Sequence, residues 1–341
     1  MWKTGVALCA CVGVLMLACS NKSNPTGPVT YGPWINYLHS SNDTIPDNFV
    51  DAIAVDAAGF KWFGTSDLRN DNLFSFLKTS NGTVWTGYNT ANGLPNSSVL
   101  AVAIDSQGNK WVGFQGGGVS MFNGTTWTTY TANSGLVDPH NVVQCITIDK
   151  QGNQWFGTSA GFSERSHSGQ WTNYYNYDGT PADWNGFNLN NVHCIAIDLA
   201  GVLWIGSDLG LIKFNAGGDT VWKVISLFNA WGCYGITVDK QNNKWISVGS
   251  GGGVGKVNAA DSAFFVYQGP SAFQSVLDKA GYLWVATSGD SGIIRIDPLT
   301  YQKINYPGLA SYNTYSITLD SSGNIWCGSD QGIHKLLIGS H

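Results

Sequence analysis

At 341 residues the chain is long enough for two or three domains, although all-β folds often reach this length as one. Charged residues make up 11% of the chain, aromatic residues make up 13%, and glycine occurs 43 times. This composition excludes a disordered chain and is typical of short aromatic strands joined by glycine-rich turns. The net charge of −5, with no basic cluster, excludes a nucleic-acid-binding protein.

The N-terminus has the pattern of an export signal followed by a tether. Lys3 precedes an apolar run that is shorter than the roughly 20 residues needed to cross a bilayer. The run ends at Leu17-Ala18-Cys19-Ser20, which resembles the lipobox of bacterial lipoproteins. We therefore expect a signal peptide at 1–18, a lipid on Cys19 and a flexible tether at 19–33. An ordinary secretory signal is the alternative.

The pattern Asp-x-x-Gly-x-x-Trp then occurs seven times, with Asn in place of Gly in the fifth copy. Successive copies are 39 to 49 residues apart, which is the length of a four-stranded propeller blade. The copies begin at Asp56, Asp105, Asp149, Asp198, Asp239, Asp278 and Asp320. The sequence therefore predicts an all-β fold, a seven-bladed β-propeller of four-stranded blades over residues 34–341.

Each position of the repeat has a structural explanation. An apolar strand precedes every Asp, whose carboxylate is expected to cap the amides of a tight turn in which Gly adopts a positive φ. The Trp opens the second strand, where a large ring can fill the space between neighbouring sheets. A small residue two positions later, for example Gly64 in blade one or Ser247 in blade five, allows the next sheet to approach closely.

The two ends of the repeat region predict how the ring closes. Trp34 to Tyr37 has the pattern of a fourth strand without a blade before it, whereas the last copy supplies only three strands. We expect the N-terminal strand to complete the C-terminal blade, so that no sheet edge stays open.

Several stretches resemble the two-component-regulator propeller repeat, notably Asn92 to Gly113 and Asp149 to Gly161. The resemblance covers residues 34–341 and is weaker in blades five and six. It implies an extracytoplasmic propeller with a binding function, at the periplasm or the cell surface. Members of that family often continue into a membrane span and a histidine kinase; this sequence shows neither, so phosphotransfer is not implied.

More distantly, the repeat is similar to that of streptogramin-lyase propellers. That resemblance implies a constellation of His and Glu with a metal on one face. Glu164 is the one Glu of the sequence, and the active site of those enzymes cannot be matched residue by residue.

Cysteines after the tether all fall within predicted strands, without Cys-x-x-Cys spacing. They are Cys145, Cys194, Cys233 and Cys327. Buried free thiols are the favoured interpretation, and a disulfide between Cys145 and Cys194 is the alternative.

The position five residues before each repeat Asp holds chemically varied side chains, although the flanking positions are apolar or small. We expect these residues to form one ring at the mouth of the central channel. The ring consists of Asp51, Leu100, Gln144, His193, Tyr234, Phe273 and Tyr315. Varied side chains on a repeated frame are typical of a ligand site, so all except Leu100 are predicted binding residues. The alternative is that they plug the channel or pack between blades.

Two loops on the same face carry aromatic residues that suit stacking on sugars or gripping a peptide. Trp184 in the longest loop and Trp231 in the following one are therefore added to the predicted site. The alternative is that these loops fold their own aromatic residues onto the propeller.

Two further patterns do not indicate a site. Asp138, His140 and His193 lack the spacing of metal ligands. Gly249 to Lys256 superficially resembles a phosphate-binding loop but lacks Ser or Thr after the Lys, so a hairpin is favoured. No catalytic residue, metal or cofactor is predicted.

The sequence therefore favours a non-enzymatic, sensor-like binding or interaction module. We expect a monomeric propeller that is lipid-anchored in the cell envelope at the outer membrane, periplasmic or surface-exposed. Its expected ligand is a glycan, a peptide or a protein, and the lipid is its only expected contact with the membrane. Two alternatives stay open: an enzyme of lyase or hydrolase type, which a metal or a carboxylate with a perturbed pKa would favour, and a structural component of an envelope complex.

Overall fold

The computed structural model of the chain describes residues 34–38, 49–66, 74–174, 191–208, 210–214, 223–225, 232–289, 292–307, 309 and 313–338. All of these belong to the unit Gly32–His341. Helix is almost absent from them: only two 3-10 helices of three residues occur there, Thr90–Asn92 and Ala132–Ser134.

The described residues form 28 strands in seven antiparallel sheets of four, and each sheet is one blade. The predicted seven-bladed propeller is therefore confirmed. In chain order the strands are β1 (Trp34–Tyr37), β2 (Phe49–Val55), β3 (Lys61–Ser66), β4 (Phe76–Thr79), β5 (Trp85–Tyr88), β6 (Val99–Ile104), β7 (Lys110–Phe114), β8 (Val119–Phe122), β9 (Trp127–Tyr130), β10 (Val143–Ile148), β11 (Gln154–Thr158), β12 (Gly161–Arg165), β13 (Trp171–Tyr174), β14 (Val192–Ile197), β15 (Leu203–Ser207), β16 (Gly210–Phe214), β17 (Lys223–Ile225), β18 (Cys233–Val238), β19 (Lys244–Val248), β20 (Gly253–Val257), β21 (Ala263–Tyr267), β22 (Ala272–Leu277), β23 (Leu283–Thr287), β24 (Ile293–Ile296), β25 (Lys303–Asn305), β26 (Thr314–Leu319), β27 (Ile325–Ser329) and β28 (Gly332–Leu336).

The first strand of each blade is the innermost. The seven first strands, β2, β6, β10, β14, β18, β22 and β26, contact one another in a closed cycle, and residues of the first six line a central channel. Each of them begins at the same end of the propeller, which we call the mouth. Each ends at its repeat Asp, so the Asp turns, such as Asp56 to Gly59, share the opposite end, which we call the turn face.

The N-terminal strand closes the ring as predicted. β1 pairs antiparallel with β28, from Trp34 opposite Leu336 to Tyr37 opposite Ile333, and forms the outer edge of blade seven. Without β1 the backbone groups of β28 would form an open edge in that blade.

The repeat Asp and Trp are joined by a hydrogen bond that the sequence did not predict. In blade one, Asp56 Oδ1 accepts the amides of Ala58 and Phe60, as expected for the cap of a turn. Its Oδ2 accepts the indole N–H of Trp62 at 2.9 Å. The same bond occurs in all seven blades, at 2.9 to 3.3 Å. Because a buried indole N–H needs an acceptor, this bond explains why Asp and Trp recur at a fixed spacing.

The repeat Trp lies between neighbouring blades, as predicted. Trp155 of blade three packs against Val192 and Ile205 of blade four, and each of the seven repeat rings is at most 3% exposed. The small residue after the Trp is also explained. A Cβ on Gly157 would lie 2.8 Å from Val192 Cγ1 and 2.3 Å from Cys145 Sγ, so the neighbouring blade leaves no space for a side chain.

Blade five exchanges the two small positions. Ser247 replaces the Gly of the second strand, and Gly235 takes the paired position on the first strand. A Cβ on Gly235 would lie 2.3 Å from Phe273 O, in the next blade. The close approach between blades is therefore kept, with the glycine on the other strand.

Candidate functional site

The residues that the sequence places in a ring line one cavity at the mouth. The cavity has a volume of about 670 Å³. The ring residue of every innermost strand lines it, namely Asp51, Leu100, Gln144, His193, Tyr234, Phe273 and Tyr315. Other residues complete its wall: Gln115, His140, Val142, Ser159, Asn191 and Gln274. The structure thus brings the predicted residues together, while their role in ligand binding stays a prediction.

Each ring residue lies at an irregularity of its innermost strand. In blade four, Val192 pairs with Ser207 and Cys194 pairs with Gly206, so His193 is an extra residue without a partner in the second strand. The same shift of register includes the ring position in every blade. A β-bulge redirects the side chain of the extra residue. Here the ring side chain lines the mouth cavity, whereas the preceding residue, such as Val192, stays in the core between blades.

Blades three and four contribute a closed cycle of four hydrogen-bonded side chains. His193 Nδ1 lies 2.8 Å from Gln144 Oε1, and its Nε2 lies 2.5 Å from Asp208 Oδ1. Asn191 Nδ2 donates to Asp208 Oδ2 at 2.6 Å, and Asn191 Oδ1 accepts from Gln144 Nε2 at 3.3 Å. A carboxylate can only accept, so Asp208 fixes the direction of every bond in the cycle. Both ring nitrogens of His193 therefore face hydrogen-bond acceptors.

Blades four to seven contribute an arc of aromatic rings, His193, Tyr234, Phe273 and Tyr315, which we call the aromatic arc. His193 stacks on Tyr234 with ring centroids 4.3 Å apart and an interplanar angle of 22°. Tyr234 meets Phe273 edge-on at 5.9 Å, and Phe273 meets Tyr315 edge-on at 5.2 Å. Burial, followed by the nearby carboxylate of Asp208, raises the pKa of Tyr234.

A carboxylate stands at the other end of the aromatic arc. Asp51 accepts a hydrogen bond from Ser66 Oγ through its Oδ2. Burial raises the pKa of Asp51, and the bond from Ser66 partly opposes that shift. Burial also raises the pKa of Tyr315, and the carboxylates of Asp330 and Asp51 add to the effect. Negative charge is therefore close to both tyrosines of the arc.

A second set of seven residues at the mouth, six of them polar, was missed by the sequence reasoning. Each member lies four residues after a repeat Trp, and counting forward from Trp would have found it. Ser66 of this set bonds to Asp51, Asp208 bonds to His193, and two other members line the cavity. The full set is Ser66, Gln115, Ser159, Asp208, Gly249, Ser288 and Asp330.

A second cavity, of about 190 Å³, lies along the channel between the innermost strands. Cys145 and Cys194 line it, and each thiol faces a backbone carbonyl oxygen of the next blade. All four described cysteines are free, so the expected thiols are confirmed and the alternative disulfide is wrong. Burial raises the pKa of Cys145 to about 12, which makes this thiol unreactive near neutral pH.

Three predicted functional residues, Cys19, Trp184 and Trp231, lie outside the described residues, as do the signal peptide at 1–18 and the tether at 19–33. Their assigned roles stay predictions. In the part of the chain that is described, no helix has the length and apolar character needed to cross a membrane.

Asp138 has a structural role in the loop before β10. Its buried carboxylate accepts the amides of His140 and Val142 and the hydroxyl of Ser159. These bonds hold the loop that brings His140 to the cavity wall. Within the described ranges, no three side chains of the His, Cys, Asp and Glu types are grouped as metal ligands would be.

The glycine-rich segment of blade five is a hairpin, as favoured from the sequence. A tight turn joins β19 to β20, and Gly253 to Val257 are already part of the second of these strands. Lys256 Nζ lies 4.5 Å from the centroid of the Trp245 ring. Both residues are near the turn face, at the opposite end of their strands from the mouth cavity.

One buried constellation resembles the nucleophile arrangement of hydrolases and was not anticipated. His334 Nε2 lies 2.7 Å from Ser329 Oγ, and its Nδ1 lies 2.7 Å from Asn36 Oδ1. Ser329 and His334 are both 0% exposed, so a substrate has no access to them. Burial lowers the pKa of His334 to about 4. The group therefore attaches β1 to blade seven.

No protein-family model matches the chain, and no curated protein sequence is significantly similar to it. Solved structures share its fold. The extracellular domain of a hybrid two-component system from B. thetaiotaomicron is 23% identical over 85% of this chain, with a TM-score of 0.69. The chain spans 40% of the length of that domain. The resemblance to two-component-regulator propellers is confirmed as a likeness of fold.

Two other kinds of propeller match the fold of this chain about as well. Virginiamycin B lyase from Staphylococcus aureus is 18% identical, with a TM-score of 0.72, and the match covers 90% of this chain and 98% of the lyase. PorZ, a surface component of the type-IX secretion system of Porphyromonas gingivalis, is 18% identical over 88% of this chain and 48% of its own length, with a TM-score of 0.70. At these identities the comparisons show the fold alone.

Proposed function

We propose that this chain is an extracytoplasmic, sensor-like binding module, lipid-anchored through Cys19, with the cavity at the mouth as its ligand site. The observation that carries the proposal is the set of seven strand irregularities at ring positions. They direct seven side chains, of six chemical types, into one cavity of about 670 Å³. That volume is within the range of small-molecule and cofactor sites, about 300 to 1,000 Å³.

The place where the chain enters the propeller supports a tethered arrangement. Trp34 begins β1 and pairs with Leu336 at the end of β28, so both lie at the turn face. A tether that runs from Cys19 to Trp34 would join the propeller on the face opposite the mouth. The fold shared with extracellular domains supports an extracytoplasmic location.

The binding role is tested with full-length Cys19→Ser protein, which carries no lipid. We would screen it on glycan arrays and in pull-downs with peptides and envelope proteins. The double variant His193→Gln, Tyr234→Ala is expected to bind the identified ligand at least about tenfold more weakly, which corresponds to about 1.4 kcal/mol. His167→Gln, an exposed histidine at the turn face, is the matched control. Unchanged binding by the double variant would contradict a ligand site at the mouth.

The lipid anchor is tested separately, by growing cells with radiolabelled palmitate. The wild-type chain is expected to incorporate the label and Cys19→Ser is not. Labelling of both proteins, or of neither, would contradict the anchor at Cys19.

An enzyme of lyase or hydrolase type is the second candidate. One observation favours it: Asp51 is a mouth carboxylate whose pKa is raised by burial, as general acids often are. The fold match to virginiamycin B lyase, which covers nearly the whole length of the lyase, is consistent with an enzyme. Mass spectrometry of the ligand after incubation with the protein tests this candidate. A product that forms with the wild-type protein but not with Asp51→Asn would favour an enzyme.

A structural component of an envelope complex is the third candidate, favoured by the fold shared with PorZ. A single stoichiometric partner in pull-downs, with binding unaffected by the double variant at the mouth, would support it over the binding module.

A further inference from the structure

Positive charge is segregated to one end of this propeller. All fourteen lysines and arginines of the described residues lie at or near the turn face, in the Asp turns, at the starts of second and fourth strands, or toward the ends of third strands. They are Lys61, Lys78, Lys110, Lys150, Arg165, Lys213, Lys223, Lys240, Lys244, Lys256, Lys279, Arg295, Lys303 and Lys335. Several lie over the repeat Trp rings, as Lys110 does over Trp62 at 4.7 Å.

The mouth has the opposite charge. Four described carboxylates lie there, those of Asp51, Asp138, Asp208 and Asp330, and none of the described residues lining the cavity is Lys or Arg. Asp138 is fully buried, and its carboxylate already accepts hydrogen bonds from His140, Val142 and Ser159. The other three stand beside the aromatic arc, where Asp208 pairs with His193.

The aromatic arc already holds one hydrogen-bond donor of the protein itself between a ring and a carboxylate. His193 faces acceptors with both ring nitrogens and stacks on Tyr234 at 4.3 Å, while Asp208 lies 2.5 Å from its Nε2. An aromatic face on one side and a carboxylate on the other is the arrangement that binds cations in aromatic cages. In blade four that arrangement is filled by an internal imidazole.

The opposite end of the arc repeats the arrangement, with no cation among the described residues that line it. Phe273 and Tyr315 meet edge-on at 5.2 Å and line the cavity together with Asp51. Asp51 Oδ2 accepts from Ser66, and Oδ1 accepts no bond from any described residue. A neutral ligand would leave this carboxylate without a compensating charge, and an anion would be repelled by it.

We propose that the sector of the mouth formed by Asp51, Phe273 and Tyr315 binds a positively charged amine of the ligand, so that the ligand is cationic. This inference rests on the proposed ligand site at the mouth. It narrows the ligand from a glycan, peptide or protein to one that carries an alkylammonium or similar group, such as a lysine side chain. Asp51 supplies the counter-charge, and the rings supply the faces over which the cation lies.

Three peptides of equal length test the charge requirement: acetyl-Gly-Lys-Gly-amide and its norleucine and glutamate analogues. Their binding to the full-length Cys19→Ser protein is measured by calorimetry at low salt. We expect the lysine peptide to bind at least about tenfold more tightly than the norleucine peptide, and the glutamate peptide not to bind. Equal binding of the lysine and norleucine peptides, tighter binding of the glutamate peptide, or no binding of the lysine peptide would overturn the inference.

Variants locate the amine. Asp51→Asn and Tyr315→Leu are each expected to weaken the lysine peptide by about tenfold, whereas Asp297→Asn, which alters a carboxylate at the turn face, is expected to leave its affinity unchanged. Thermal melting shows that each variant is folded. A loss in Asp297→Asn equal to that in Asp51→Asn would overturn the assignment.

The outcome also separates this inference from the proposed function. If the ligand found by screening is neutral or anionic and depends on His193 and Tyr234, the mouth is a ligand site and the cation inference is wrong. If the ligand found by screening is unaffected by any substitution at the mouth, the proposed function itself is wrong.

Discussion

Acidification is expected to weaken the attachment of β1 at His334. This imidazole is fully buried, and its two nitrogens face the Asn36 Oδ1 acceptor and the Ser329 hydroxyl, which suits a neutral ring with its proton on Nδ1. Burial lowers its pKa from 6.5 to about 4, and Asp330 partly opposes that shift. The folded chain therefore holds the proton less tightly than the unfolded chain. Its contribution to stability is complete above about pH 6.5 and is lost as the pH falls from there to about 4.

The size of the effect follows from the two pKa values. The shift corresponds to about 3 kcal/mol in total, of which about 2 kcal/mol is lost between about pH 7 and pH 5. The free energy of unfolding would be measured by urea titration at both pH values for full-length Cys19→Ser protein, with and without His334→Gln. Glutamine can still donate to Asn36 but does not titrate. The protein with His334 is therefore expected to lose about 2 kcal/mol more than the variant on acidification.

A histidine at the surface provides the control. His167 is exposed at the turn face, and His167→Gln is expected to keep the pH dependence of the parent protein. If His334→Gln and its parent lose equal stability between the two pH values, the buried imidazole is not responsible, and its assigned role in closure is wrong.

Two further predictions concern packing and the repeated hydrogen bond, and both are measured by urea unfolding. Gly157→Ala is expected to lower the free energy of unfolding by about 1 to 3 kcal/mol, because the new Cβ overlaps Val192 of the next blade. Ser247→Ala, at the same position in blade five, removes a buried hydroxyl that has no hydrogen-bond partner among the described residues, and it should leave stability equal or higher. A larger loss here than in Gly157→Ala would contradict the packing argument. Trp204→Phe removes the indole bond to Asp198, and a double-mutant cycle with Asp198→Asn should give a coupling of about 1 to 3 kcal/mol. A coupling near zero would show that the recurring bond does not stabilise the blade.

The blade count, the strand order and the closure were readable from the sequence because each depends on local or nearest-neighbour contacts. A turn capped by Asp56 and a ring at Trp62 lie six residues apart, so every blade repeats them at the same spacing. The strand at Trp34 to Tyr37 was recognisable because it has the pattern of a fourth strand and stands before any blade. The ring positions were found in the same way, by counting from a repeated residue.

The chemistry of the mouth was decided only by the tertiary structure. His193 and Gln144 are 49 residues apart in sequence, and the curvature of the ring brings their side chains to 2.8 Å. The irregularities that turn these residues toward the cavity depend on how the first strand pairs with the second, and the sequence of one strand does not show that pairing. The separation of positive and negative charge also depends on the tertiary structure, because the direction of each strand decides which end of the propeller a given Lys or Asp occupies. A repeat specifies which residues recur, whereas which of them meet across blades depends on how the sheets are arranged around the channel.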